Sequence, residues 1–262
     1  MALSVAELDQ QVLGWLQEAR LSILDQLKQP MQVNQKTSHR DLVTNVDKRI
    51  EQFYIKKIHD FMPNASVISE EGYGDEVTTL DGDVWFVDPI DGTLNFVEQH
   101  HEFATMLALY HDGKPVLAWI MDVMNNEVVH GGPTIGVFVN KQHVDGFADK
   151  ALSDGLIVMS GARLLGNQIG LPEIAKEALG FRVYGSAGIS YCHVMKGQAL
   201  GYISVMKPWD FAPGIALALT LGLAVTDVDG HAVDMLSSGT VVVSTPSSHE
   251  DIMRIENQLK SV

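Results

Sequence analysis

The chain has 262 residues, a formal net charge of -15 and a sequence pI near 4.9, a balance that argues against a nucleic acid or an anionic membrane as partner, since either needs a basic face. With 46% hydrophobic and 19% charged residues it has the composition of an ordinary soluble globular protein, long enough for one large domain or two fused lobes. The single cysteine, Cys192, rules out an internal disulfide and fits a reducing cytoplasm.

From the N-terminus, Ser4-Val-Ala-Glu7 forms a capping-box pattern. Val5, Leu8, Val12, Trp15, Leu16, Ala19, Ile23, Leu24 and Leu27 follow at three- and four-residue spacings. An amphipathic helix is expected over 4–29, ended by Pro30. Glu7 and Asp9 stand where a secretory signal would need an apolar run, so none is expected. The polar stretch 34–40 contains Lys36 and leads into Asp41-Leu-Val-Thr-Asn-Val-Asp47. A second amphipathic helix, carrying Ile50, Phe53, Tyr54, Ile58 and Phe61, follows Asp47, which either serves the helix dipole alone or belongs to a site. Residues 65–69 read as a strand. Glu70-Glu71-Gly72 follows its end, where open α/β folds place ligands, and alternation would point the two glutamates apart. Residues 72–76 read as a mobile loop.

Trp85, Phe86 and Val87 read as a buried strand running into Asp88-Pro-Ile-Asp91-Gly-Thr93. Pro89 has no N–H and a fixed φ, so the chain is expected to leave the ladder there and turn, which lets Asp88 and Asp91 point at one spot. Two acids so close repel unless a cation sits between them, and an all-oxygen site suits Mg2+, Mn2+ or Ca2+ better than zinc. Gly92 lets a ligand approach the backbone and Thr93 adds a hydroxyl. A short helix starting at Gly92 would offer free N–H groups to an anion. The same five letters also make an ordinary surface turn; the apolar approach, Thr93 and the acids elsewhere favour a metal beside a phosphate cradle.

Four β-rich runs, 103–110, 115–122, 127–131 and 135–139, predict an antiparallel meander. His100 and His101 lack metal-ligand spacing, and the other histidines show no zinc pattern. Beyond about residue 145 strands and helices alternate: strands at 156–159, 181–184 and 201–205, a weak helix near 172–179, and a helix to Met195. The turn Gly185-Ser186-Ala187-Gly188 before that helix is a second candidate anion cradle, of a common kind. Cys192 reads as a small buried apolar residue rather than a nucleophile. Lys207-Pro-Trp-Asp210-Phe-Ala-Pro213-Gly214 opens the most apolar helix. Asp210 sits where an N-cap belongs with Pro213 in the first turn, so capping explains it, although an aromatic-Asp pair there also puts a carboxylate near the core. The apolar run 215–225, broken by Thr220 and Gly222, is shorter than the roughly 20 residues a bilayer span takes. Strands at 223–227 and 240–244 and a helix from Ser248 close the chain.

Taken together, Asp41-Leu-Val-Thr-Asn-Val-Asp47, Ile68-Ser-Glu70-Glu71, Trp85-Phe-Val-Asp88-Pro-Ile-Asp91-Gly-Thr93 and Trp209-Asp210-Phe-Ala-Pro-Gly resemble the inositol monophosphatase family, in order and separation, over nearly the whole chain. The resemblance implies an α+β fold, a layered αβαβα sandwich of the inositol monophosphatase and fructose-1,6-bisphosphatase type. Residues 1–145 would form an N-terminal lobe and 146–262 a C-terminal lobe, with the active site between them. It also implies Mg2+-dependent phosphomonoester hydrolysis with two or three ions, Mn2+ serving as substitute, inhibition by lithium, and a homodimer acting on a small-molecule phosphate ester.

By position in those motifs, Glu70, Asp88, the Ile90 carbonyl, Asp91 and Asp210 would be metal ligands. Glu70 would help activate the water, with Thr93 and Asp47 as a hydroxyl–carboxylate pair near that nucleophile. The Gly92 and Thr93 amides would hold the phosphate, Gly185, Ser186 and Ala187 would line the substrate site, and Lys36 stands where the family has a lysine near the active site. Animal members specific for inositol carry an acid a few positions before the aspartate of the Trp-Asp pair; here Ile203 or Ser204 stands there. Inositol monophosphate is the expected substrate, with nucleotide 2′- or 3′-phosphates and sugar phosphates open. The contrasting class, an idle metal- or phosphate-binding regulator, should have lost ligands, and no ligand position is missing.

Overall fold

The computed structural model describes residues 4–29, 32–36 and 42–260; Pro30 and Asp41, a predicted helix end and a motif start, lie outside them. Helix α1 (Val5–Gln26) opens as its capping box predicts, with Glu7 N donating to Ser4 Oγ at 3.3 Å and Ser4 N to Glu7 Oε2 at 2.8 Å. Strands β1 (Val33–Gln35) and β2 (Leu42–Thr44), which have no clear sequence signal, pair antiparallel ahead of α2 (Asn45–Phe61).

A seven-stranded sheet keeps sequence order: β3 (Ser66–Ser69), β4 (Asp83–Asp91), β5 (Ala104–His111), β6 (Lys114–Asp122), β7 (Glu127–Gly132), β8 (Gly136–Val139) and β9 (Gln142–His143). Only β3 and β4 run parallel, and β5 to β8 are the predicted meander. Helix α3 (Thr93–Glu98) lies between β4 and β5. The second sheet contains β10 (Leu156–Met159), β11 (Gly180–Arg182), β12 (Gly201–Met206), β13 (Ala224–Thr226) and β14 (Gly239–Ser244), in the order β11-β10-β12-β14-β13. Around it stand α4 (Gly161–Leu165), α5 (Leu171–Glu177), α6 (Ala187–Met195), α7 (Pro208–Leu221) and α8 (Pro246–Lys260).

Alternation along the strands makes the layers. On β4, Trp85 and Val87 pack with Trp15 of α1 and Ile50 and Tyr54 of α2, whereas Val84 and Phe86 pack with Tyr191 of α6 and Phe211 of α7. Successive side chains point to opposite faces, and both faces of this strand are buried. The second sheet repeats the logic: Val158, Tyr202 and Val243 join the α6–α7 layer, while Ile157, Ile203 and Val242 join Ile174 and Ile252 of α5 and α8. The result is helix, sheet, helix, sheet, helix, the expected αβαβα sandwich. Gly214 sets the middle layer's spacing, because a Cβ there would fall 2.3 Å from the Tyr191 ring.

Two helix starts differ from expectation. Helix α7 begins at Pro208, so Pro213 lies inside it rather than in its first turn; a buried apolar environment holds the helix together despite the missing N–H. Helix α8 begins at Pro246 instead of Ser248, since proline's fixed φ suits the first helical position. Among the described residues no helix is long and apolar enough to cross a membrane.

Candidate active site

The pairing of β4 with β5 runs to Asp88 opposite Met106, breaks, and resumes with Asp91 opposite Ala104. The chain therefore does not leave the sheet at Pro89, as its missing N–H suggested. A bulge takes Pro89 and Ile90 out of the ladder and pairing continues, so proline is accommodated without ending the strand. The consequence is that Asp88 and Asp91 can share a side with Asp210 from α7: one carboxylate oxygen of each lies within 4.8 Å of the others.

Each acid is fixed differently. Asp91 accepts from Ala187 N at 3.0 Å through Oδ1, and from Gly188 N at 2.7 Å and Ser186 Oγ through Oδ2. The N–H groups that open α6, read as a second anion cradle, are thus taken by a carboxylate of the protein itself. Gly185, Ser186 and Ala187 still line the cleft beside it. Asp210 is the third residue of α7, not its N-cap; the N-cap is Lys207, whose N–H donates to Asp210 Oδ2 at 2.8 Å. Asp88 is 1% exposed and its Oδ1 has no hydrogen-bond partner.

Asp47 helps cap α2 and also bonds Thr93. Its Oδ2 accepts from Thr44 N at 2.9 Å and from Thr44 Oγ1, closing the capping box of α2. Its Oδ1 faces Thr93 Oγ1 at 3.2 Å, and that hydroxyl also reaches the Ile90 carbonyl at 3.0 Å. Lys36 Nζ lies 2.8 Å from Glu70 Oε1 and 2.6 Å from Glu71 Oε1, so both glutamates meet one cation instead of pointing apart. Burial works against the lysine's charge, but the two carboxylates outweigh it and hold the ammonium above its ordinary pKa.

The electrostatics point to a cation. Burial is the leading cause that pushes Glu70 up to about 8, with Lys36 pulling the other way, and Asp210 up to about 7, with Asp91 adding to it. Burial likewise raises Asp88, helped by Glu70, Asp91 and Asp210; it raises Asp91 against the bonds from Ser186, Gly188 and Ala187. A buried acidic oxygen without a donor, set among like charges, is costly until a cation completes it. Carboxylates and a carbonyl with no thiol or imidazole fit a hard cation of the Mg2+ or Ca2+ type.

A cavity of about 260 Å3 brings together the predicted site residues Glu70, Asp88, Ile90, Asp91, Gly92, Thr93, Gly185 and Asp210, with Leu42 and Leu94, which were not predicted, also in its wall. Gly92, at φ 83°, forms the left-handed N-cap of α3, whose first N–H groups have no side-chain cap. A Cβ there would fall 2.9 Å from Ser186 Cβ and 3.4 Å from the Glu102 and Gly185 carbonyls. Gly92→Ala is expected to lower kcat/KM on the order of 10²-fold, the cost of a displacement of about 1 Å at a reacting centre. Steady-state kinetics test this, and near wild-type turnover would show that the Gly92–Ser186 approach is not needed.

A second cavity of about 390 Å3 opens from Asp91 and Asp210 and is walled by Ser160, Ser190, Tyr202 and Ser204. Alternation on β12 decides between the two residues offered for the missing acid: Ile203 turns to the α5–α8 layer, and Ser204 faces the cleft. Ser160 and Tyr202 had no sequence signal, because they reach the cleft only through the pairing of β10 with β12.

Buried acidic oxygens gathered beside uncapped helix amides in an αβαβα sandwich define a layered α+β protein with a cleft suited to a cation next to an anion. The chain belongs to the inositol monophosphatase family, whose description matches residues 4–261. It is 31% identical over 251 residues to the inositol-1-monophosphatase of Bacillus subtilis (strain 168), covering 94% of this chain and 95% of that one. Among solved structures, an IMPase/NADP phosphatase complexed with NADP and Ca2+ superposes with a TM-score of 0.90 at 27% identity, covering 97% of both chains. An IMPase/NADP phosphatase complexed with Mg2+ and phosphate gives 0.87 at 27%, covering 96% and 95%.

Proposed function

We propose that this protein is a Mg2+-dependent phosphomonoesterase that hydrolyses inositol monophosphate to inositol and phosphate. The observation that carries the proposal is Asp88 Oδ1, buried without a donor among Asp91 and Asp210. The Bacillus relative and the solved complexes with Mg2+ and phosphate support it.

In this reading Glu70, Asp88, the Ile90 carbonyl, Asp91 and Asp210 hold two or three Mg2+ ions, with Mn2+ able to substitute. When bound, such ions make water a stronger nucleophile and neutralise charge on the phosphate and the leaving oxygen. The protein's own groups do the rest. Thr93 Oγ1, tethered to Asp47 Oδ1, orients the attacking water, and Glu70 takes up its proton through the oxygen that Lys36 leaves free. The uncapped Gly92 and Thr93 amides hold the phosphate, while Gly185, Ser186, Ala187 and Asp210 border the alcohol half. Lys36 keeps Glu70 and Glu71 together. Segments 1–145 and 146–262 work as one unit around this cleft, in a lithium-sensitive, cytoplasmic homodimer.

Ser204 favours a second substrate reading, because a neutral hydroxyl in the wall cannot select a ring hydroxyl as an acid would. The same chemistry on the 2′-phosphate of NADP, 3′-phosphoadenosine 5′-phosphate or fructose 1,6-bisphosphate follows from it, and the NADP complex of the structural relative supports this. An idle regulatory role has less support, since no ligand position is missing. The deciding assay is phosphate release with Mg2+ from these substrates and inositol 1-phosphate, each with and without lithium. Turnover of inositol 1-phosphate is expected; release from none of them would end the phosphatase reading. Ser204→Glu should then shift kcat/KM roughly tenfold toward inositol 1-phosphate relative to the nucleotides, the worth of one charged hydrogen bond, and an unchanged ratio would exclude Ser204 from substrate selection.

A further inference from the structure

Of the ligand side chains proposed for the metals, two receive hydrogen bonds from backbone N–H groups: Asp91 at the start of α6, and Asp210 from Lys207. Glu70 stands just past the end of β3, in a turn, and its carboxylate accepts from the side-chain ammonium of Lys36. What fixes that turn is another acid. Glu51, one helical turn after Asp47 on α2, is fully buried. Its Oε1 accepts from Ser69 Oγ at 2.8 Å and from Tyr73 N at 2.9 Å, and its Oε2 accepts from Glu71 N at 2.7 Å. The bonded residues 69, 71 and 73 bracket Glu70.

We propose that Glu51 is a positioning residue for the metal site, clamping the turn so that Glu70 is delivered to the cations from the same helix that carries Asp47. The inference rests on the proposal that Glu70 is a metal ligand. Three donors converge on one group, which suits a carboxylate because it carries no hydrogen of its own. An amide there must turn its NH2 toward a donor whichever way it lies: toward Glu71 N–H, or toward Tyr73 N–H. Glu51→Gln therefore keeps the volume and breaks the clamp. The role is that of an outer group holding a ligand in place, and such partners are typically worth about 10- to 100-fold in metal affinity.

The test is Mn2+ binding, read from the loss of the free-ion EPR signal, for the wild type, Glu70→Gln, Glu51→Gln and Ser69→Ala, with far-UV circular dichroism on each. Glu51→Gln should bind Mn2+ about tenfold more weakly, and the Mg2+ concentration for half-maximal phosphatase activity should rise by the same factor while kcat at saturating Mg2+ largely recovers. Ser69→Ala, which leaves two of the three bonds, should weaken binding roughly twofold. If Glu70→Gln loses Mn2+ while folded Glu51→Gln and Ser69→Ala bind like the wild type, the clamp is wrong and the ligand assignment stands. If Glu70→Gln itself binds like the wild type, both fall. Should Glu51→Gln fail to fold, Ser69→Ala decides, and unchanged binding in it overturns the proposal.

Discussion

Asp88→Asn should lose phosphatase activity on the order of 10³-fold and, without metal, should be more stable than the wild type. The loss follows from removing one anionic ligand of the cations proposed to neutralise the negative charge that develops on the phosphate and the leaving oxygen. The gain follows from what surrounds it: Asp88 is buried among Glu70, Asp91 and Asp210, and its Oδ1 makes no hydrogen bond that Asn would forfeit. An amide of the same shape relieves like-charge repulsion and can donate to a neighbouring carboxylate. Thermal unfolding with and without Mg2+ reads both effects. The wild type should gain stability from Mg2+ by mass action and the variant should gain little. An active variant, or one less stable without metal, would contradict this role for Asp88.

The metal-free wild type should lose stability as pH rises from about 4.5 to 8, opposite to the usual behaviour of paired carboxylates. The unfolded chain titrates its acids near pH 4, whereas the folded chain holds Glu70 up to about 8 and Asp210 up to about 7, with Asp88 and Asp91 also raised. Across that window the folded state binds more protons than the unfolded one, so stability is greatest below the unfolded values and falls as the folded groups ionise. Each tenfold gain in proton affinity on folding is worth roughly 1.4 kcal/mol, and because the acids repel one another their contributions do not simply add, so a total of a few kcal/mol is expected. For a chain of this size that is a fall of about 5 °C or more in Tm between pH 5 and pH 8. Saturating Mg2+ should flatten the curve, because the cation replaces the protons. A metal-free Tm that rises over this interval would refute the electrostatic account.

How much of this was legible in the sequence depended on whether the signal was local. The capping box at Ser4 and Glu7, the meander of β5 to β8 and the buried run Trp85-Phe86-Val87 are short-range patterns, and the structure keeps them. Asp88 and Asp91 stand out locally, because two close acids after an apolar strand call for a cation, whereas Asp210 reads well as a helix cap and joins the site through the family resemblance. What the residues could not give was the consequence of pairing. Whether Pro89 ends a strand or rides a bulge depends on β5, and whether Ile203 or Ser204 faces the cleft depends on the register of β12. The N-terminus of α6 looked free because its anion, Asp91, comes from a distant part of the chain. Glu51 gave no sequence signal, because its three donors all lie beyond the helix that carries it.

The bonds from Ser186, Ala187 and Gly188 to Asp91 span 95, 96 and 97 residues of chain, and this separation orders events in time. Contacts that distant carry a loop-closure cost that local ones do not, so they form after the meander and the helices have taken shape. The joining of the α6 amides to Asp91 is thus expected late in folding. A cation held jointly by β4 and α7 would stabilise the folded state more than any state in which those two segments are still apart, so it is expected to slow unfolding more than it hastens folding.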